Sequence, residues 1–157
     1  MSSDEVVAAG LVPELDVVDL GVSLDFYRRV VGFTLVFERP AERFAYLDLE
    51  GSSLMLQEAA GPGRRFRTGP LEHPFGRGVN FQAAVADVDA LCHRVVAAGF
   101  ELIIPLEERW YDVDVLVPTG RWHQLGPMAA GNRQFVVADP DGYQWRFFAT
   151  LGTRPRS

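Results

Sequence analysis

An α+β fold of two tandem βαβββ modules is predicted by three observations: an internal repeat, matching helix caps in its two copies, and alternating strands after each helix. Val17-Val18-Asp19-Leu20 through Val30-Val31-Gly32-Phe33-Thr34-Leu35 aligns with Val85-Ala86-Asp87-Val88 through Val95-Val96-Ala97-Ala98-Gly99-Phe100-Glu101-Leu102 with one gap. The two Asp residues stand 68 positions apart. In 157 residues each half is too small to bury a comfortable core alone. The modules are therefore expected to share one curved mixed sheet, with helices on its outer face and an open concave ligand cleft on the other.

Each copy opens with a strand. Leu11, Pro13, Leu15 and Val17 alternate with Val12, Glu14 and Asp16, and Val79, Phe81, Ala83 and Val85 alternate with Asn80, Gln82 and Ala84. The apolar set lies under the helices and the polar set lines the concavity. A helix follows, with Asp19 or Asp87 as N-cap, since a short carboxylate accepts the free N–H groups of the first turn. Val22, Phe26, Tyr27, Val30 and Val31 form the apolar stripe of the first helix, and Val88, Leu91, Cys92, Val95 and Val96 that of the second. Gly32 and Gly99 end them as left-handed caps. Cys92 falls on the stripe and reads as core.

The closing strands of each module run over residues 43–56 and 134–148. Leu54 and Leu56 face inward, with Met55 and Gln57 on the concave side. Trp145 and Phe147 face inward, with Gln144, Arg146 and Phe148 opposite. Asp139-Pro140-Asp141-Gly142 is a turn: proline presets φ and glycine supplies a positive one. Module one spans about 11–58, a Gly-, Pro- and Arg-rich linker 59–77, and module two about 78–150, with an irregular insertion near 112–131, all within one domain.

Composition narrows the functions. All fifteen basic residues are arginine, which removes Schiff-base, Ser-Lys and Walker-lysine chemistry. A net charge of −6 with a pI near 5.0 argues against nucleic acid as a partner. The single cysteine cannot form an internal disulfide. Neither a signal peptide nor an apolar stretch of membrane-spanning length is read, so no membrane partner is expected and the expected location is cytoplasmic. No Ser/His/Asp order or nucleophile elbow is found.

The stretch Leu15-Asp16-Val17-Val18-Asp19-Leu20-Gly21-Val22-Ser23-Leu24-Asp25-Phe26-Tyr27 with Gly32-Phe33 resembles the opening motif of the vicinal oxygen chelate superfamily, which includes glyoxalase I, extradiol dioxygenases and bleomycin-resistance proteins. Asp139-Pro140-Asp141-Gly142 is similar to its closing motif, and the resemblance covers roughly residues 11–150. In metal-dependent members each module supplies a ligand on its first and its last strand. Those positions fall here on Val12, Met55, Asn80 and Arg146. None carries a carboxylate or imidazole, and a guanidinium repels a metal. The resemblance therefore points to the metal-free, bleomycin-resistance branch, which Glu107-Glu108-Arg109-Trp110-Tyr111 and Asn132-Arg133-Gln134-Phe135 also resemble. That branch implies a homodimer that sequesters a bulky, cationic, planar-ended glycopeptide antibiotic between subunits, with no catalytic residue, metal or cofactor.

The ligand-binding residues expected on this basis are Glu14, Asp16, Gln57, Asn80, Gln82 and Arg146 on the concave strands. Phe66, Trp110, Tyr111 and Trp122 are expected as flat surfaces for an aromatic tail. Glu14 and Asp16, with Glu107 and Glu108, suit a cationic end. Two rival readings stand beside this one. The first is a glyoxalase- or dioxygenase-like lyase or isomerase with a relocated metal site, using Glu14 with His73 or His123. The second is a binder of an unrelated small metabolite.

Overall fold

A computed structural model describes residues 9–113 and 127–156. The first module comprises β1 (Glu14–Val17), α1 (Leu20–Leu24), which runs on into a π-helical stretch (Asp25–Val31), β2 (Thr34–Arg39), β3 (Phe44–Leu49) and β4 (Ser52–Glu58). The second comprises β5 (Asn80–Ala84), α2 (Val88–Ala97), β6 (Leu102–Val113), β7 (Met128–Ala138) and β8 (Gln144–Pro155). The strand orders are β1-β4-β3-β2 and β5-β8-β7-β6. Each sheet is mixed: its first and last strands pair in parallel, and the remaining pairs are antiparallel. Two βαβββ modules are thus present. Their sheets meet through packing and side-chain hydrogen bonds rather than through a shared ladder.

The caps form as the sequence dictates. Asp19 Oδ1 accepts from Val22 N at 3.0 Å and Asp87 Oδ1 from Ala90 N at 2.9 Å. Gly32 (φ 103°) and Gly99 (φ 90°) take the left-handed conformation. The wider turns of the π-helical stretch bring residues four and five apart into line, and Phe26, Tyr27, Val30 and Val31 are all buried. Cys92 is buried in the stripe of α2, and burial pushes its thiol pKa up. Two stripe residues behave differently: Val22 and Val96 are exposed. At 100° per residue, Val96 stands about 80° around the helix from Val88, off the buried face. Leu11 and Val79 precede β1 and β5 and are also exposed.

One apolar cluster runs through both modules, from Leu15, Val17 and Tyr27 to Val95, Phe135, Trp145 and Phe147. A polar seam reinforces it. Trp145 Nε1 donates to Tyr27 Oη (2.9 Å), which donates to Asp139 Oδ2 (2.6 Å). Tyr143 Oη donates to the Asp16 carbonyl (3.0 Å), Val18 N to Asp141 Oδ2 (3.1 Å) and Ala86 N to Glu50 Oε1 (3.1 Å). Arg94 of α2 donates to the carbonyls of Val30 and Val31, a cation placed on the electronegative end of the first helix.

The linker is strapped down. Arg65 donates to the carbonyls of Glu58 and Glu42, and Arg67 to that of Ala59. Phe75 is buried, with its N–H on the Asp141 carbonyl at 2.7 Å. Part of the expected insertion is regular structure: residues 112–113 belong to β6 and 128–131 to β7, whose long pairing outcompetes the Pro and Gly signals. β8 also runs past 150, pairing Thr153 with Ala130 and Pro155 with Met128. Residues 114–126, with Trp122 and His123, lie outside the described residues. No helix among the described residues is long and apolar enough to cross a membrane.

Candidate ligand-binding site

Alternation on β1 and β4 sends Leu15, Val17, Leu54 and Leu56 into the core and leaves Glu14, Asp16, Met55 and Gln57 on the concave face. Glu14 pairs with Met55 and Asp16 with Gln57. Glu14 is exposed. Asp16 is only 8% exposed and its carboxylate is occupied: Gln57 Nε2 donates to Oδ1 at 3.1 Å and Arg67 Nε to Oδ2 at 3.0 Å. Asp16 and Gln57 are therefore brought together, but as members of a satisfied polar set with a linker arginine. A ligand reaching Asp16 must displace Arg67. A groove of about 430 Å³ opens alongside, lined by Asp16, Arg67, Phe66, Leu71, Phe75 and Arg77 among others. Phe66 is 69% exposed there, with the Arg64 guanidinium 5.1 Å from its ring centroid.

The same face carries an aromatic shelf that reading by alternation missed. Tyr46 lies opposite Met55 on one side and Phe37 on the other. The rings of Phe37 and Tyr46 stack at 5.0 Å and 16°, and Phe44 lies 6.0 Å from Phe37 under the Arg39 guanidinium. Tyr46 is 6% exposed and its Oη is buried without a hydrogen-bond partner in the described structure. Residues 44–47 are all apolar or aromatic, so no alternation sorts them into faces. The turn supplies the missing signal: counting back from Glu50-Gly51, both at positive φ, pairs Tyr46 with Met55.

On the second sheet, Asn80 pairs with Gln144, Gln82 with Arg146 and Val136 with Arg146. Asn80, Gln144 and Arg146 line a pocket of about 120 Å³ whose remaining wall is Ile103, Ile104 and Val136. Further along, Gln134 is buried and its Nε2 donates to Tyr111 Oη (2.8 Å) and Glu107 Oε1 (3.3 Å). Tyr111 therefore belongs to the concave face.

Trp110 does not. It pairs with Gly131, which shares its face of β7 with Arg133, and Arg133 reaches Asp89 on α2. The indole lies flat over Gly131 and is covered by the Arg154 guanidinium, 3.8 Å from the ring centroid. Trp110 is thus on the convex side with its ring occupied, because neighbours on a strand point to opposite faces. Glu108, opposite Arg133, lies on the convex side too.

The four positions that the resemblance assigns to metal ligands carry Val12, Met55, Asn80 and Arg146, a donor set without a carboxylate or imidazole. Among the described residues no three His, Cys, Asp or Glu side chains gather as a metal site elsewhere. These residues do not fit the divalent ion of the metal-dependent relatives. His73 is exposed in the linker, its ring 6.5 Å from that of Phe75.

The family model described as the Glyoxalase/Bleomycin resistance protein/Dioxygenase superfamily matches residues 12–147. No curated protein matches the chain. Among solved structures, TioX from a Micromonospora species is 27% identical, covering 92% of this chain and 100% of its own, with a TM-score of 0.65. A protein of unknown function from Agrobacterium tumefaciens is 26% identical, covering 92% and 94%, with a TM-score of 0.60. A virulence protein from Salmonella typhimurium shares the fold at 16% identity, covering 89% and 94%, with a TM-score of 0.61.

Proposed function

Since the chain belongs to the glyoxalase/bleomycin resistance protein/dioxygenase superfamily, we propose that it is a metal-independent binding protein that sequesters a bulky, aromatic-ended antibiotic of the bleomycin type. One observation carries this reading. The concave faces present flat and polar recognition surfaces where metal-dependent relatives place ligands, and the four metal positions hold Val12, Met55, Asn80 and Arg146. Sequestration needs no acid, base or Lewis acid; stoichiometric binding removes the drug from its target.

The exposed ring of Phe37, stacked on Tyr46 over Met55, suits a planar heteroaromatic tail. Glu14 offers an uncommitted carboxylate to a cationic group, and Tyr111, held by the buried Gln134, offers a polar contact further along. Both concave faces are open in the single chain. The reading therefore includes a homodimer in which module one of one copy closes over module two of the other, acting in the cytoplasm.

Calorimetric titration of the full chain with bleomycin tests it. Binding at about micromolar or tighter is expected, and Phe37→Ala is expected to weaken it about tenfold while leaving the melting temperature unchanged. Absence of heat together with absence of growth protection in cells expressing the protein overturns the reading. One tightly held divalent ion per chain, in protein purified without chelator, overturns its metal-free part.

A further inference from the structure

The geometry points to a carboxylate-binding subsite in the second module, formed by the Arg146 guanidinium with the amides of Asn80 and Gln144. It would take a monocarboxylate carried on an apolar body. This assigns a charge and a shape to part of the ligand, and it stands whether or not bleomycin is that ligand.

Among the described residues the chain has fourteen arginines; Arg28 and Arg109 are exposed to water, so they need no protein partner, and Arg146 differs from both these and the paired ones. Arg29, Arg39, Arg43, Arg67, Arg77, Arg133 and Arg156 are in ion pairs. Arg65 and Arg94 are spent on backbone carbonyls, and Arg64 and Arg154 lie over aromatic rings. Arg146 is partly buried and lines the 120 Å³ pocket, and none of the described residues gives its guanidinium a hydrogen bond, ion pair or ring contact. A partly desolvated cation without a partner is unfavourable in the free protein. An anion that supplies the partner recovers that cost on binding.

The setting selects among anions. A guanidinium presents a planar fork that matches the two oxygens of a carboxylate. Asn80 stands beside it through the Asn80–Gln144 and Gln82–Arg146 register of β5 on β8, so amide donors flank the fork. The rest of the lining is hydrocarbon, from Ile103, Ile104 and Val136, the last paired directly with Arg146. That lining suits the apolar group bearing a carboxylate and leaves a fully hydrated dianion such as phosphate short of partners. At about 30 Å³ per water in the liquid, the pocket has room for roughly four waters, which is a carboxylate and a short stub of the group that carries it. The rest of the ligand would extend over Val136 and along β7.

The test is a titration of the full chain with benzoate, its neutral analogue benzamide, and inorganic phosphate, followed by NMR at the Arg146 Nε–H and the Val136 and Ile104 methyls. Benzoate is expected to saturate and shift all three signals, with benzamide and phosphate each at least about tenfold weaker. Arg146→Met is expected to weaken benzoate about ten- to a hundredfold, and Arg146→Lys to recover part of the loss, because charge persists without the fork. Asn80→Ala, at an exposed position, gives a second variant that does not disturb the core. Benzamide binding as well as benzoate, Arg146→Met binding like the wild type, or benzoate failing to saturate would each overturn the assignment. Saturation by benzoate alongside a null bleomycin titration supports the subsite and removes the drug alone.

Discussion

Asp139 shows how a turn residue acquires a second task. Its Oδ1 accepts from the N–H groups of Asp141 (3.0 Å) and Tyr143 (2.9 Å), and its Oδ2 from the Tyr27 hydroxyl. Burial outweighs these hydrogen bonds and pushes its carboxyl pKa up to about 6. The folded state therefore binds this proton more tightly than the unfolded chain, where an aspartate titrates near 3.9. Stability from this group is lowest above pH 6 and rises as pH falls through 6 towards 4, opposite to the effect of a salt-bridged carboxylate. The stability difference between wild type and Asp139→Asn, from urea unfolding, is expected to move in favour of the wild type by about 1 kcal/mol between pH 7.5 and pH 5. An unchanged difference would contradict this. The turn was legible from Asp-Pro-Asp-Gly; the bond to Tyr27, 112 positions away, was not, because nothing local in sequence encodes a seam between modules.

At the scale of elements, the long β6, β7 and β8 extend the second sheet well past the length of the first. Gly131 is the constraint there: a Cβ at this position would sit 2.7 Å from three atoms of the Trp110 ring. Gly131→Val should expel the indole from under Arg154, costing about 1–3 kcal/mol and altering tryptophan emission. Emission and stability like those of the wild type would show that the strand shifts instead. Trp110 and Tyr111 are both expected from the sequence as flat surfaces for a ligand, but as neighbours on β6 they point to opposite faces and cannot share one aromatic surface. Gly76 and Gly142 act similarly at the linker, where a Cβ would strike the Tyr143 ring at 2.4 Å and Pro74 at 2.5 Å. That close approach turns a long irregular segment into a fixed strap.

For the whole molecule, the two outer edge strands, β2 and β6, carry exposed apolar side chains: Phe37 is 42% and Ile103 49% exposed. If two copies complete each other's concave faces, these residues become buried. Sedimentation equilibrium is expected to give a dimer of the 17.4 kDa chain, with Ile103→Arg shifting it towards monomer. A single monomeric species for the wild type at high concentration would remove the shared cleft from the proposed function. The two concave faces differ in character. The first is aromatic, with Asp16 neutralised by Arg67; the second holds an uncompensated guanidinium. Their juxtaposition across a dimer would favour a ligand with an aromatic end, a cationic group for Glu14 and a carboxylate for Arg146.

By itself the sequence determined the repeat, both N-caps, the left-handed helix ends and the core faces of β1, β4, β5 and β8. These are local properties, fixed by spacing, alternation and the conformational demands of Asp, Pro and Gly. Tertiary structure decided which polar groups are available. Asp16 and Arg146 both read as concave and charged, yet a linker arginine satisfies Asp16 while Arg146 meets no partner among the described residues. That distinction depends on where residue 67 comes to rest against residue 16, a long-range contact that neither periodicity nor composition encodes.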